Sequence, residues 1–299
     1  MSYCLKTDEG IADGIRRVMR EQLQGGLCEI SQATPGNEAK AVHATRKHIK
    51  KARALLRLVR ETIGQKIFQE ENRFLREVGR IFASSRDARV RQETLEQLRE
   101  QIGDTGATFP GTAAALEAQV GRAIDDFARQ REEALASLQE IYDRVEGWPL
   151  EDLEMADLCC ALGEAYRRGR KCFRCAETKR TEENFHSLRK RVKDIWYQSR
   201  ILRSLNPAVL CGLEESANTL GQQLGDLHDL TAFRGWLEQE TSLPEEARTV
   251  LFGLICSREK ELEGITLDLS ARFFAEKPKA FERRLLRDAR VWPAQRVCA

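Results

Sequence analysis

Prolines are scarce, seven in 299 residues, and aromatic side chains make up only 7% of the chain. Runs in which Val, Ile or Thr alternate with polar residues are almost missing, which argues against a sheet protein. No stretch of about 18 apolar residues occurs, so no transmembrane helix is expected. The opening residues, Met1-Ser2-Tyr3-Cys4-Leu5-Lys6, lack an apolar signal core. Nine cysteines, an odd number, accompany that opening, so reduced thiols in a cytoplasm are the expectation. Excess charge of one sign is absent too: 49 Lys and Arg stand against 47 Asp and Glu. Taken over the whole chain, a formal net charge of +2 gives no reason to expect a polyanionic partner. At 41% hydrophobic residues the chain has enough apolar material for a large core, which excludes intrinsic disorder.

Apolar residues recur instead at intervals of three and four, as in Leu116, Val120, Ile124, Phe127, Leu135, Leu138, Ile141, Tyr142 and Val145. This periodicity predicts an all-α protein. Helices are expected near 7–24, 36–63, 66–84, 87–102, 112–146, 151–176, 181–204, 207–225, 229–240, 244–262 and 268–290. Breaker residues such as Thr34-Pro35-Gly36 and Gly147-Trp148-Pro149 separate them. Trp148-Pro149 falls at mid-chain.

Residues 43–60 match residues 186–203 at an offset of 143. The identical pairs are His43/His186, Arg46/Arg189, Lys47/Lys190, Lys50/Lys193, Arg57/Arg200 and Arg60/Arg203. Every identity is a basic or potentially basic residue, while the apolar positions drift within their class. A duplication kept for its core would hold apolar identities first, so a shared anionic ligand is the better reading. At about 100° per residue these cations form one helix face opposite an apolar face. The segment 40–60 holds eight Lys or Arg and no Asp or Glu. Charge is therefore segregated, and the near-zero total conceals it. A second match pairs Gly79/Gly221 and Asp87/Asp229. The recurrent Asp is read as a cap for a following helix, the alternative being a partner that holds a basic side chain. A further cationic segment, Tyr166 to Arg174, precedes the second stripe and has a counterpart at Ile15 to Arg20.

The segments Val42-His43-x-x-Arg46-Lys47-x-x-Lys50-Lys51-x-Arg53 with Arg86-Asp87, Tyr166-Arg167-Arg168-Gly169-Arg170-Lys171, Phe185-His186-x-x-Arg189-Lys190-x-x-Lys193-x-x-x-Tyr197 and Leu224-Gly225-Asp226-Leu227-His228-Asp229-Leu230 resemble the CHAD family, the conserved-histidine α-helical domain. The likeness runs from about residue 10 to 290. It implies two pseudo-symmetric four-helix bundles, 1–148 and 149–299, joined in one domain around a central basic cavity. It also implies binding of inorganic polyphosphate, association with polyphosphate granules and their proteins, and no cofactor. Two departures stand out: Arg86 is replaced by His228 in the second half, and Lys51 by Asp194.

A polyphosphate offers only oxygen acceptors along a line, so a site for it needs stacked cationic donors and little else. The candidate ligand-binding residues are His43, Arg46, Lys47, Lys50, Lys51, Arg53 and Arg57 in the first half. Those in the second half are Arg167, Arg168, Arg170, Lys171, His186, Arg189, Lys190, Lys193, Tyr197 and Arg200. Arg16, Arg17, Arg20, Arg86 and His228 are flanking candidates. No nucleophile or carboxylate cluster accompanies the stripes, so a non-catalytic binding protein is expected. Nucleic acid or another phosphorylated ligand is the rival partner, disfavoured because Trp196 and Tyr197 are the only aromatics near the stripes. His43 and His48 are five residues apart, which is poor spacing for chelation, so no metal site is expected.

Overall fold

The computed structural model describes residues 3–34, 36–102, 109–125, 127–240 and 243–292. Among these residues there are eleven α-helices, two single-turn 3-10 segments and no strand. The first half contains α1 (Ile11–Ser31), α2 (Glu38–Leu58), α3 (Arg60–Ile81), α4 (Ala83–Ile102), α5 (Pro110–Asp125) and α6 (Phe127–Arg144). The second contains α7 (Met155–Thr178), α8 (Glu182–Ile201), α9 (Pro207–Gln239), α10 (Glu245–Phe273) and α11 (Pro278–Val291).

Local chemistry fixes several starts. Glu154 and Asp157 form a reciprocal capping box at α7, and Thr181 accepts the Asn184 amide at the start of α8. Pro207 and Pro278 occupy the first turns of α9 and α11, where a missing N–H costs nothing. Gly64 breaks the helical geometry inside α3 with φ 80°, a left-handed conformation that a side chain would strain.

Helix α1 packs on α2 and α6, and α3 on α2 and α6. Buried Glu71 of α3 makes two parallel 2.9 Å hydrogen bonds with Arg144 of α6. In the second half α8 packs between α7 and α9, α9 packs on α10, and α11 lies along α7. Tyr166 of α7 anchors that corner: its ring stacks on Phe281 at 4.1 Å, and its hydroxyl donates to the Phe273 and Glu276 carbonyls. The halves meet where α2 crosses α8, with further contact between α4 and α9. Helices α1 and α7 begin at 11 and 155, and α2 and α8 at 38 and 182, so each pair starts 144 residues apart, within one residue of the sequence offset of 143.

Some boundaries differ from the sequence reading. The expected helix 112–146 is two helices, α5 and α6, and residue 126 between them lies outside the described residues. The expected pair 207–225 and 229–240 is one helix of 33 residues, because nothing in Asp226-Leu227-His228 breaks it. Asp229 therefore sits inside α9 and Asp87 inside α4, so neither caps a helix as expected. None of the described helices is long and apolar enough to cross a membrane.

Candidate functional site

At the crossing of α2 and α8, the Gln198 amide donates to the Ala54 carbonyl at 3.2 Å. The two cationic stripes pass on either side of this contact. Their outer members, His43, Lys47, Lys50 and Lys190, are exposed, whereas Arg46, Lys51, Arg53, Arg57, His186, Arg189, Lys193 and Arg200 are partly buried. Along α2 the exposed cations thus give way to partly buried ones from Lys51 to Arg57, close to the crossing.

On the second-half side, Lys193 lies against α9. A β-carbon at Gly221 would stand 3.1 Å from Lys193 Cε, and one at Gly225 would stand 3.6 Å from the Arg189 guanidinium. The Lys193 ammonium also sits 4.2 Å from the Trp196 ring centroid. Burial pushes Lys193 down to about 8, with Arg189 adding to the effect and Asp226 opposing it. His186 lies against His228 with centroids 4.6 Å apart and ring planes tilted by 32°, and it is lowered by burial and by Lys190 and Arg189. Arg200 pairs with Glu214 of α9 at 3.1 Å, and buried Tyr197 packs edge-on against Tyr3. The Tyr197 phenol is held up at about 12 by its burial, so it remains a neutral donor.

On the first-half side, Arg46 donates to the Gly79 carbonyl of α3. Gly79 and Gly221 recur in the sequence, but only at Gly221 would a side chain crowd the cation of the preceding helix, since a β-carbon at Gly79 would meet nothing within 4 Å. Arg53 donates to Asn72 at 3.1 Å. Burial pushes Arg53 down to about 10, Arg57, Arg76 and Arg80 add to this, and Asp194 opposes it. It therefore stays charged at neutral pH within a cluster of four arginines. Half-buried Lys51 is lowered by burial, then by Arg200 and Lys47, and its ammonium is 5.2 Å from the Tyr3 ring centroid.

Not every candidate joins this group of cations. Arg16 pairs with Glu151 at 2.8 Å, Arg17 with Glu9 at 2.6 Å and Glu21 at 2.9 Å, and Arg20 with Glu146 at 2.8 Å. These three tie α1 to its neighbours. Exposed Arg167 and Arg168 share Glu164 within their own helix. Arg170 stands near the Tyr166 hydroxyl, and Lys171 is exposed on α7. The Arg86 side chain lies outside the described residues. Arg76 and Arg80 of α3 act on Arg53, and Tyr3 lies by Lys51 and Arg200, although the sequence reading omitted all three. The i, i+4 spacing of Arg76 and Arg80 was a visible signal, but α3 has no repeat partner carrying the same pair. His48, a rejected metal ligand, is bonded through Nδ1 to Gln22 at 3.0 Å, and burial pushes it down to about 4. Among the described residues no group of three or more His, Cys, Asp or Glu is placed to hold a metal ion.

Similarity to known proteins bears on this arrangement. A search of curated proteins finds no match. Among solved structures, the crystal structure of the CHAD domain from the plant Ricinus communis has a TM-score of 0.66 and 14% sequence identity. That likeness covers 93% of this chain and 96% of that one, and it establishes a shared fold. The family model for the CHAD domain matches residues 18–238, and the chain belongs to the CHAD-domain family.

Proposed function

We propose that the protein binds inorganic polyphosphate, without chemical turnover, along the cations that gather where α2 and α8 cross. The observation that carries this reading is the set of cations buried against one another. Lys51, Arg53, His186 and Lys193 are all lowered by burial first, and each has cationic neighbours that deepen the effect. A protein gains no stability from that arrangement alone. A bound polyanion offsets the repulsion and favours the protonated form of each group.

This arrangement also suits a linear ligand with no base or sugar. Its donors are Arg forks and Lys ammonium groups spaced along two helices. Trp196 is used internally, beneath Lys193 and within 5.6 Å of Arg200, so it is not an open platform for stacking a base. Association with polyphosphate granules, and a cytoplasmic setting, would follow from such a ligand. Long polyphosphate should outcompete RNA and single-stranded DNA at equal phosphate concentration, and should raise the melting temperature most at low salt. Equal competition by the nucleic acids would favour the rival reading, and no thermal shift with polyphosphate at low ionic strength would refute the proposal.

A further inference from the structure

The two edges of the α2–α8 crossing are chemically unequal. Lys51 and Asp194 occupy equivalent places in the sequence repeat, as do Arg57 and Arg200. Around the crossing these positions meet in exchanged pairs. On one edge Arg57 of α2 bonds Asp194 of α8 at 3.0 Å, and Arg191 reaches the second oxygen of the same carboxylate at 3.2 Å. Asp194 is 7% exposed, and Arg57 also donates to the Arg53 carbonyl. The edge has therefore used one anion to satisfy two arginines. On the other edge, Lys51 and Arg200 meet as like charges, with the Tyr3 ring centroid 5.2 Å from Lys51 Nζ and 5.6 Å from Arg200 Cζ. Glu214 pairs with Arg200 and Arg203, whereas the charged neighbours that shift Lys51 are the cations Arg200 and Lys47.

We propose that Asp194 sets the path of the polyanion across the crossing. Acting as an internal substitute for phosphate, it withdraws Arg57 and Arg191 from the ligand, as Glu214 does Arg200, and the ligand passes between the halves along the edge made by Lys47 and Lys51. A buried carboxylate hydrogen-bonded to one guanidinium group and ion-paired with a second competes with phosphate for both. The phosphate oxygens would have to displace it and leave it buried without a partner. This inference rests on the polyphosphate reading and adds a route to it.

The test compares two α2 cations of similar burial. Binding of sodium polyphosphate of about 100 phosphates would be measured against salt for the wild type, Lys51→Gln, Arg57→Gln and Asp194→Asn. Loss of one phosphate contact flattens the log–log salt slope by about 0.7 to 0.9. Lys51→Gln should show that change with about a tenfold loss of affinity, whereas Arg57→Gln should shift the slope by less than half as much. Asp194→Asn should steepen the slope by about one contact, and Asp13→Asn, an exposed change of equal charge, should not. Equal losses from Lys51→Gln and Arg57→Gln would overturn the route. So would an Asp194→Asn protein that binds no better than Asp13→Asn. If Asp194→Asn fails to fold, the two α2 variants still decide the matter. A wild type that binds no polyphosphate would instead remove the reading beneath the route.

Discussion

Raising the pH from 7 to 9 should weaken polyphosphate binding in a way that one residue accounts for. Lys193, pushed to about 8 in the free protein by burial and by Arg189, is mostly protonated at pH 7 and about nine-tenths neutral at pH 9. Phosphate oxygens beside it favour the ammonium form, so binding at pH 9 must first take up a proton. One pH unit above the pKa costs about 1.4 kcal/mol, or about tenfold in affinity. Calorimetry in buffers of different ionisation enthalpy would register an uptake of about 0.9 proton per site at pH 9 from this group. Long polyphosphate is the right probe, since its few terminal groups titrate weakly against the chain. Lys51 is lowered in the same direction, so the control is Lys193→Arg, which stays charged throughout and should remove the Lys193 share. The sign reverses for the stability of the ligand-free fold. Unfolded Lys193 keeps its proton to about 10.5, so the fold is penalised at neutral pH and regains stability as pH climbs from about 8 to 10.5. Affinity that is flat between pH 7 and 9, with no proton uptake, would refute the claim that a buried cation awaits the ligand.

Gly169→Ala should destabilise the second half by about 1–3 kcal/mol, because the new methyl would lie 2.8 Å from Phe274 Cζ and 3.1 Å from Ile195 Cδ1; thermal melting checks this. Glu71→Ala should cost about 1–2 kcal/mol by removing two hydrogen bonds across the α3–α6 contact from Arg144, which keeps Glu140, against nearly nothing for the exposed Glu61→Ala, both read by urea titration. Arg17→Ala should lower the melting temperature while leaving polyphosphate affinity within about twofold, since Arg17 is committed to Glu9 and Glu21.

The helical class and the two cationic stripes were legible because both are periodic, and a 3.6-residue repeat of charge survives any detail of packing. Helix joints were less so. Asp226-Leu227-His228 looked like a boundary, yet without Gly, Pro or a competing cap α9 runs through it. Arg16, Arg17 and Arg20 read as a basic segment, but their partners Glu9, Glu146 and Glu151 come from other segments, which helix periodicity cannot reveal. The departure at Asp194 was visible as a break in the repeat. Its meaning needed the crossing, since only there does Arg57 face it. Gly221 was visible as well, and what it accommodates became clear once Lys193 was seen against it.

The most direct test of the account is a binding titration with polyphosphates of graded length, carried out on the wild type and on a variant with Arg46, Lys50, Arg189 and Lys193 all changed to Glu. The account predicts affinity that grows with ligand length until both stripes are spanned, and its loss in a variant that still melts cooperatively. Unchanged affinity in that folded variant would contradict it.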